Sequence, residues 1–140
     1  MLTILFRALS AFNVLVYRAS GGRLMGHFPG GVEILLLTTK GRKTGKPRTV
    51  PLLFLEDGDR FVVVGSKGGA PKDPAWFNNL KAEPRADIEL GQRRFSVTAR
   101  EASPEEKARY WPLLLAIYPP YEAYQTRAGR PIPLMVLTPA

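Results

Sequence analysis

The chain has 140 residues, no cysteine, one histidine and a formal net charge of +8. That length suits a single domain, whose folding buries roughly two thirds of the unfolded chain's surface. The absence of cysteine excludes disulfides, thiolate nucleophiles and sulfur-ligated metals. His27 alone, in the Gly/Pro-flanked stretch GHFPGG, gives no metal site. The positive excess calls for an anionic partner: nucleic acid, an acidic membrane surface or a phosphorylated small molecule.

In chain order, Leu2, Leu5, Leu9, Phe12 and Val16 recur at spacings of three and four, one face of an amphipathic helix ended by Gly21 and Gly22. Arg7 interrupts this stretch, which is too short to span a bilayer and lacks the block and cleavage site of a secretory signal. Two roles are open to it. One is packing on the core or over a binding site; the other is peripheral membrane contact, with Arg7, Arg18 and Arg23 near lipid phosphates. Residues 1–31 therefore read as a helix and loop leading into one domain over 32–140.

Val32 to Thr39 (VEILLLTT) predicts a strand, as does Thr49 to Leu55, in which Pro51 lacks an amide donor and calls for an edge or a bulge. Glu56-Asp57-Gly58-Asp59 is a turn, with Arg60 to Gly65 as hairpin partner, so three strands form a meander. After the loop SKGGAPKDP, Asp73 and Pro74 predict the cap and first residue of a helix to Ala82. Ile88 to Leu90 and Arg94 to Arg100 flank Gly91-Gln92 as a hairpin. Ser103 and Glu106 form a capping box opening a helix to Ile117, which Pro112 can kink, and Ile132 to Thr138 is a last strand. Six short strands with turn-length connections predict a mainly β (α+β) antiparallel barrel rather than a parallel sheet.

Three groups of residues carry chemistry. Thr38 to Arg48 (TTKGRKTGKPR) places Lys40, Arg42, Lys43, Lys46 and Arg48 around two glycines with no acid. It is not a nucleotide P-loop, because three residues rather than four separate its glycines and Pro47 follows the lysine. Glycine amides, the Thr44 hydroxyl and the cations suit phosphate oxygens, and each charge-assisted bond contributes about 1.5–3 kcal/mol. A merely solvated basic turn would contribute almost nothing.

The second group is Ser66-Lys67-Gly68-Gly69 and the helix start beyond Pro74, which offers the positive end of its dipole to an anion. Trp76 and Asn79 share a face there, as ligand contacts or as a core tryptophan with a surface asparagine. The third is Tyr118, Tyr121 and Tyr124, phenols that stack on planar ligands and donate to an oxygen gaining charge, or that simply pack a loop. No Ser, His and carboxylate combination suggests a hydrolase, so the chemistry belongs to a cofactor.

GRKTGKPR after an LLLTT strand, VPLLFLEDGD, SKGGAPKDPAWFNNL, SVTAREAS, YWPLLLAIYPPYEAYQ and IPLMVLTP together resemble the deazaflavin-dependent nitroreductase family over residues 32–139. The resemblance implies a six-stranded split β-barrel of the FMN-binding type, with an N-terminal helix and two further helices. It implies coenzyme F420 as cofactor, an 8-hydroxy-5-deazaflavin with a phosphodiester and an oligoglutamate tail. The implied reaction is hydride transfer to a quinone or a related electron-poor acceptor, nitroaromatics and nitroimidazoles being incidental substrates.

The implied residues follow the motifs. Arg42, Lys43, Thr44 and Arg48 would grip the phosphate and tail, with Lys46 at a position the family need not keep basic. Ser66, Lys67 and Gly68 would line the deazaflavin, with Ala75, Trp76 and Asn79 at the helix start against it. Ser66, Tyr118, Tyr121 and Tyr124 would serve the acceptor, while Leu53 and Ala75, larger in some members, leave a preference for nitro compounds open. A lipid-soluble quinone implies a cytoplasmic enzyme with residues 1–20 at the inner face of the membrane, as monomer or homodimer. The alternatives are the same barrel using FMN, a lipid-binding relative without redox activity, and a nucleic-acid-binding module. The last lacks an aromatic-interleaved recognition motif, so no nucleic acid is expected.

Overall fold

The computed structural model describes residues 27–28, 32–66 and 69–140. The expected N-terminal helix, Lys67 and Gly68 lie outside the described residues. The strands are β1 (His27–Phe28), β2 (Val32–Lys40), β3 (Pro47–Leu53), β4 (Leu55–Asp57), β5 (Arg60–Val64), β6 (Arg85–Leu90), β7 (Arg93–Glu101) and β8 (Leu134–Pro139). The helices are α1 (Ala75–Ala82), α2 (Pro104–Ile117) and α3 (Tyr121–Ala128).

Neighbouring strands run β1-β2-β6-β7-β8-β5-β4, β3 pairs with β2, and every pair is antiparallel. β3 and β4 are separated only by Phe54, so one stretch of chain pairs first with β2 and then with β5 and joins the two margins of the sheet. The expected barrel is present, as a mainly β antiparallel split barrel. Its eight strands exceed the expected six because His27–Phe28 adds a short strand and the segment 49–55 breaks at Phe54. β3 has β2 as its sole strand partner among the described residues, the edge position that Pro51 calls for.

Side-chain alternation explains the unbroken aliphatic runs. In β2, Ile34 and Leu36 join Leu53, Val62, Val64, Leu134 and Val136 beneath Tyr110 and Leu114 of α2 and Tyr121 of α3. Leu35 and Leu37 point the other way, into a second cluster with Phe61, Val63, Ile88, Val97 and Met135 and with Trp76, Phe77 and Leu80 of α1. A strand buried on both faces shows no polar alternation, and each buried leucine stabilises by about 1.5–3 kcal/mol.

The ends of the helices depart from expectation in two places. α1 starts at Ala75 rather than Pro74; Pro74 is its cap residue and makes no side-chain bond. Asp73, expected to cap it, instead accepts from the Arg130 guanidinium at 2.7 Å, a charge-assisted bond that outcompetes a neutral amide. The sequence pattern also gave no helix over 121–128, because Pro119-Pro120 reads as a break. Pro120, at φ −58°, is instead preorganised for helical entry, and Gly129 at φ +64° closes α3 in the left-handed region. The capping box forms as expected, with Ser103 Oγ accepting from the Glu106 amide at 3.2 Å and Glu106 accepting from the Ser103 amide at 3.0 Å. Pro112 sits inside α2 without ending it. Among the described residues no helix is long and apolar enough to cross a membrane.

Candidate functional site

The β2–β3 turn is closed on its glycines: the Gly41 amide donates to the Lys46 carbonyl at 2.8 Å and the Gly45 amide to the Gly41 carbonyl at 2.7 Å. A Cβ on Gly41 would meet Lys46 O and Thr44 Oγ1 at 3.0 Å, so the turn leaves its side chains only outward directions. Arg42, Lys43, Thr44, Lys46 and Arg48 are exposed, and the Thr44 hydroxyl accepts from the Lys46 amide at 3.2 Å. Among the described residues none of Lys40, Lys43, Lys46 and Arg48 enters an ion pair. The turn therefore presents unneutralised positive charge on a constrained backbone.

Asn79 ties this turn to α1. Its Oδ1 accepts from the Arg42 amide at 3.2 Å and from the Arg42 guanidinium at 3.3 Å, while its Nδ2 donates to Thr39 Oγ1 at 3.1 Å. The side-chain amide is thus engaged within the protein, and Asn79 is only 4% exposed. Trp76, on the same inward face of α1, is 7% exposed and meets Phe77 edge-to-face at 5.7 Å. Ala75, at the start of the helix, is exposed.

The segment between β5 and α1 begins at Ser66, a buried residue whose carbonyl accepts from the amides of Gly69 at 2.9 Å and Ala70 at 3.2 Å. Gly69 has φ +84°, and a Cβ there would meet Tyr124 Cα and O at 3.0 Å. Only glycine lets this loop lie directly on the backbone of α3. Arg130, just beyond α3, holds the same loop through Asp73 at 2.7 Å and the Ala70 carbonyl at 3.4 Å. Gln125 of α3 donates to the Arg130 carbonyl and accepts from the Ile132 amide at 3.0 Å and Lys107 Nζ at 3.1 Å. Sequence reasoning missed the roles of Asp73, Lys107, Gln125 and Arg130. Each has a partner far off in the sequence, and the only nearby signal is the Gly129 and Pro131 punctuation around Arg130.

The three tyrosines converge. Tyr118 is the C-cap residue of α2, and Tyr121 and Tyr124 lie on α3. The Tyr118 and Tyr121 rings stand 4.9 Å apart at 70°, and the Tyr118 and Tyr124 hydroxyls are 3.0 Å apart. The hydrogen bond with Tyr124, then burial, raises the Tyr118 phenol above its ordinary range. Burial raises Tyr121 well above that range. Raised in this way, both phenols stay protonated near neutrality.

A separate open cleft of about 720 Å³ lies at the base of the basic turn, lined by Thr38, Lys40, Gly45, Arg85, Asp87 and Thr98 among others. Its wall includes neither Ser66 nor Trp76 nor any tyrosine.

A family model described as F420H(2)-dependent quinone reductase matches residues 10–139. The chain belongs to the F420H(2)-dependent quinone reductase family. An F420H(2)-dependent quinone reductase of Mycobacterium tuberculosis (strain ATCC 25618 / H37Rv) is 44% identical over 126 residues, spanning 88% of this chain and 85% of its own. Among solved structures, an F420-H2 dependent reductase (FDR-A) superposes with a TM-score of 0.69 and 43% identity, covering 74% of this chain and 92% of that one. A chain solved as a domain-swapped dimer superposes with a TM-score of 0.72 and 36% identity, covering 98% of this chain and 99% of its own. The deazaflavin-family resemblance read from the motifs is borne out, with F420 as the coenzyme of this quinone reductase family.

Proposed function

We propose that this chain transfers a hydride from reduced coenzyme F420 to a quinone, and that residues 66–82 align the coenzyme between an anion grip and a tyrosine-lined acceptor site. One observation carries the reading. The segment from Ser66 through α1 touches both partners, reaching the basic turn through Asn79 and the tyrosine helix through Gly69. The donor set fits the coenzyme, since a phosphodiester and glutamates need cations without competing acids, and the turn supplies five.

In this reading Arg42, Lys43, Thr44, Lys46 and Arg48 bind the phosphate and acidic tail. Ser66, Lys67 and Gly68 line the ring, with Ala75 and Trp76 at the helix start, while Asn79 acts by fixing Arg42. When bound, the reduced deazaflavin supplies two electrons and one hydrogen as hydride, and a proton from water completes the hydroquinone. Tyr118, Tyr121, Tyr124 and Ser66 donate hydrogen bonds to the acceptor oxygen as its negative charge grows. Because the phenols of Tyr118 and Tyr121 are raised, they stabilise that charge without giving up their protons.

Residues 32–140 form the coenzyme-binding domain, with His27–Phe28 of the leading segment added to its sheet as β1. Residues 1–20 contact the inner face of the membrane, from which a cytoplasmic enzyme draws a lipid-soluble quinone. The structurally similar domain-swapped dimer favours a homodimer over a monomer for this chain. Anaerobic steady-state oxidation of reduced F420 with menadione tests the function. Menadione-dependent turnover exceeding that with a nitroimidazole is expected; F420 binding without quinone turnover would overturn it.

A further inference from the structure

We infer that Arg130 is a positioning residue whose guanidinium holds Ala70 and Asp73 against the tyrosine helix and so sets the distance between the coenzyme ring and its acceptor. The inference rests on the functional reading above for what the loop and the tyrosines bind. The contact itself is independent of it.

Arg130 uses two terminal nitrogens on two different acceptors of one loop, the Asp73 carboxylate at 2.7 Å and the Ala70 carbonyl at 3.4 Å. A planar fork fixes two acceptors at a set spacing; the single ammonium of lysine cannot. The pair is sheltered on both sides, with side chains 22% and 24% exposed, whereas Arg109 and Asp57 are 60% and 47% exposed. Sheltering from solvent keeps the interaction from being screened away.

The base of the fork is fixed as well. Gln125 takes the Arg130 carbonyl and the Ile132 amide, so α3 holds the backbone on each side of the arginine. From the loop, the path to the site is short: the Ala70 amide donates to the Ser66 carbonyl at 3.2 Å, and the Gly69 amide donates to it at 2.9 Å. Among the described residues the Arg130 Nε is buried without a hydrogen-bond partner. The guanidinium therefore carries an unsatisfied donor while directing its other nitrogens at the loop, a cost to Arg130 for geometry delivered elsewhere.

Amide hydrogen exchange on the coenzyme-free full chain tests this directly. In R130K and R130A the Gly69 and Ala70 amides should exchange at least about tenfold faster than in the parent, with β5 and β8 protection kept within about twofold. D73A should act like R130A, the double variant no more strongly than either, and D73N, which keeps an acceptor oxygen but loses the charge, should fall between D73A and the parent. Unchanged exchange at Gly69 and Ala70, or equal loss throughout the sheet, overturns the inference.

In turnover with menadione, R130K should lower kcat about tenfold and coenzyme affinity no more than about threefold, since the basic turn still holds the tail. The reverse split would contradict it. Failure of the parent chain to bind F420 would count against the functional reading, while the exchange data judge Arg130 by themselves.

Discussion

The exposed cations of the basic turn have no acid partners among the described residues, so truncating one costs the fold little. Lys43→Ala or Arg48→Ala should shift stability by no more than about 0.5 kcal/mol. Each should weaken F420 binding roughly ten- to hundredfold, the value of one bond to a charged group, in equilibrium titration. Unchanged affinity would remove the turn from the coenzyme site. Tyr121 gives the complementary case, because among the described residues its hydroxyl meets no hydrogen-bond partner although its ring is packed between Tyr118 and Trp111. Tyr121→Phe should therefore leave melting temperature and coenzyme affinity nearly unchanged and lower kcat with menadione about tenfold. Equal loss of affinity and turnover would mean that the phenol supports the fold instead. At this scale the kinds of chemistry were legible, cations for an anion and phenols for a carbonyl oxygen. Asn79 was not, because its bonds run to residues 37 and 40 positions away and leave no local pattern.

Among the elements, α2 was the most legible, since its capping box lies within four consecutive residues and forms as written. Glu106 also receives Arg100 in a two-point contact at 2.6 and 2.8 Å. That hydrogen-bonded pair first, and the Ser103 amide second, lower its carboxyl from 4.5 to about 2. A depressed folded pKa contributes stability that is present above the unfolded value and lost as pH falls through the folded one. In acid denaturation the stability gap between the parent and Glu106→Gln should accordingly shrink between pH 4.5 and about 2. The gap should be modest, because Arg100 is half-exposed and solvent screens the pair. A gap constant across that range would show that the ionised pair contributes nothing. α3 and the start of α1 were misread for a common reason. Their boundaries depend on proline dihedrals and on Arg130 drawing Asp73 away, and neither is visible in a local propensity.

At the scale of the molecule, antiparallel order followed from connections too short for crossovers, and the double-sided burial of β2, β5 and β8 followed from their unbroken aliphatic runs. The barrel was expected as well, but not where it closes, because that depends on the chain changing partners at Phe54, a non-local event that the single run 49–55 does not mark. The closed barrel brings together what the sequence separates: the turn at 40–48, the loop at 66–74 and the tyrosines at 118–124, linked by Asn79, Gly69 and Arg130. The most direct test of the account compares equilibrium binding of F420 with that of the same deazaflavin lacking the phosphodiester and glutamates. F420 should bind at least about a hundredfold more tightly, by two or more charged bonds, and Lys43→Ala should cut that advantage by the roughly ten- to hundredfold of one such bond. Equal binding of the two ligands, or an advantage that survives loss of the loop's cations, would contradict it.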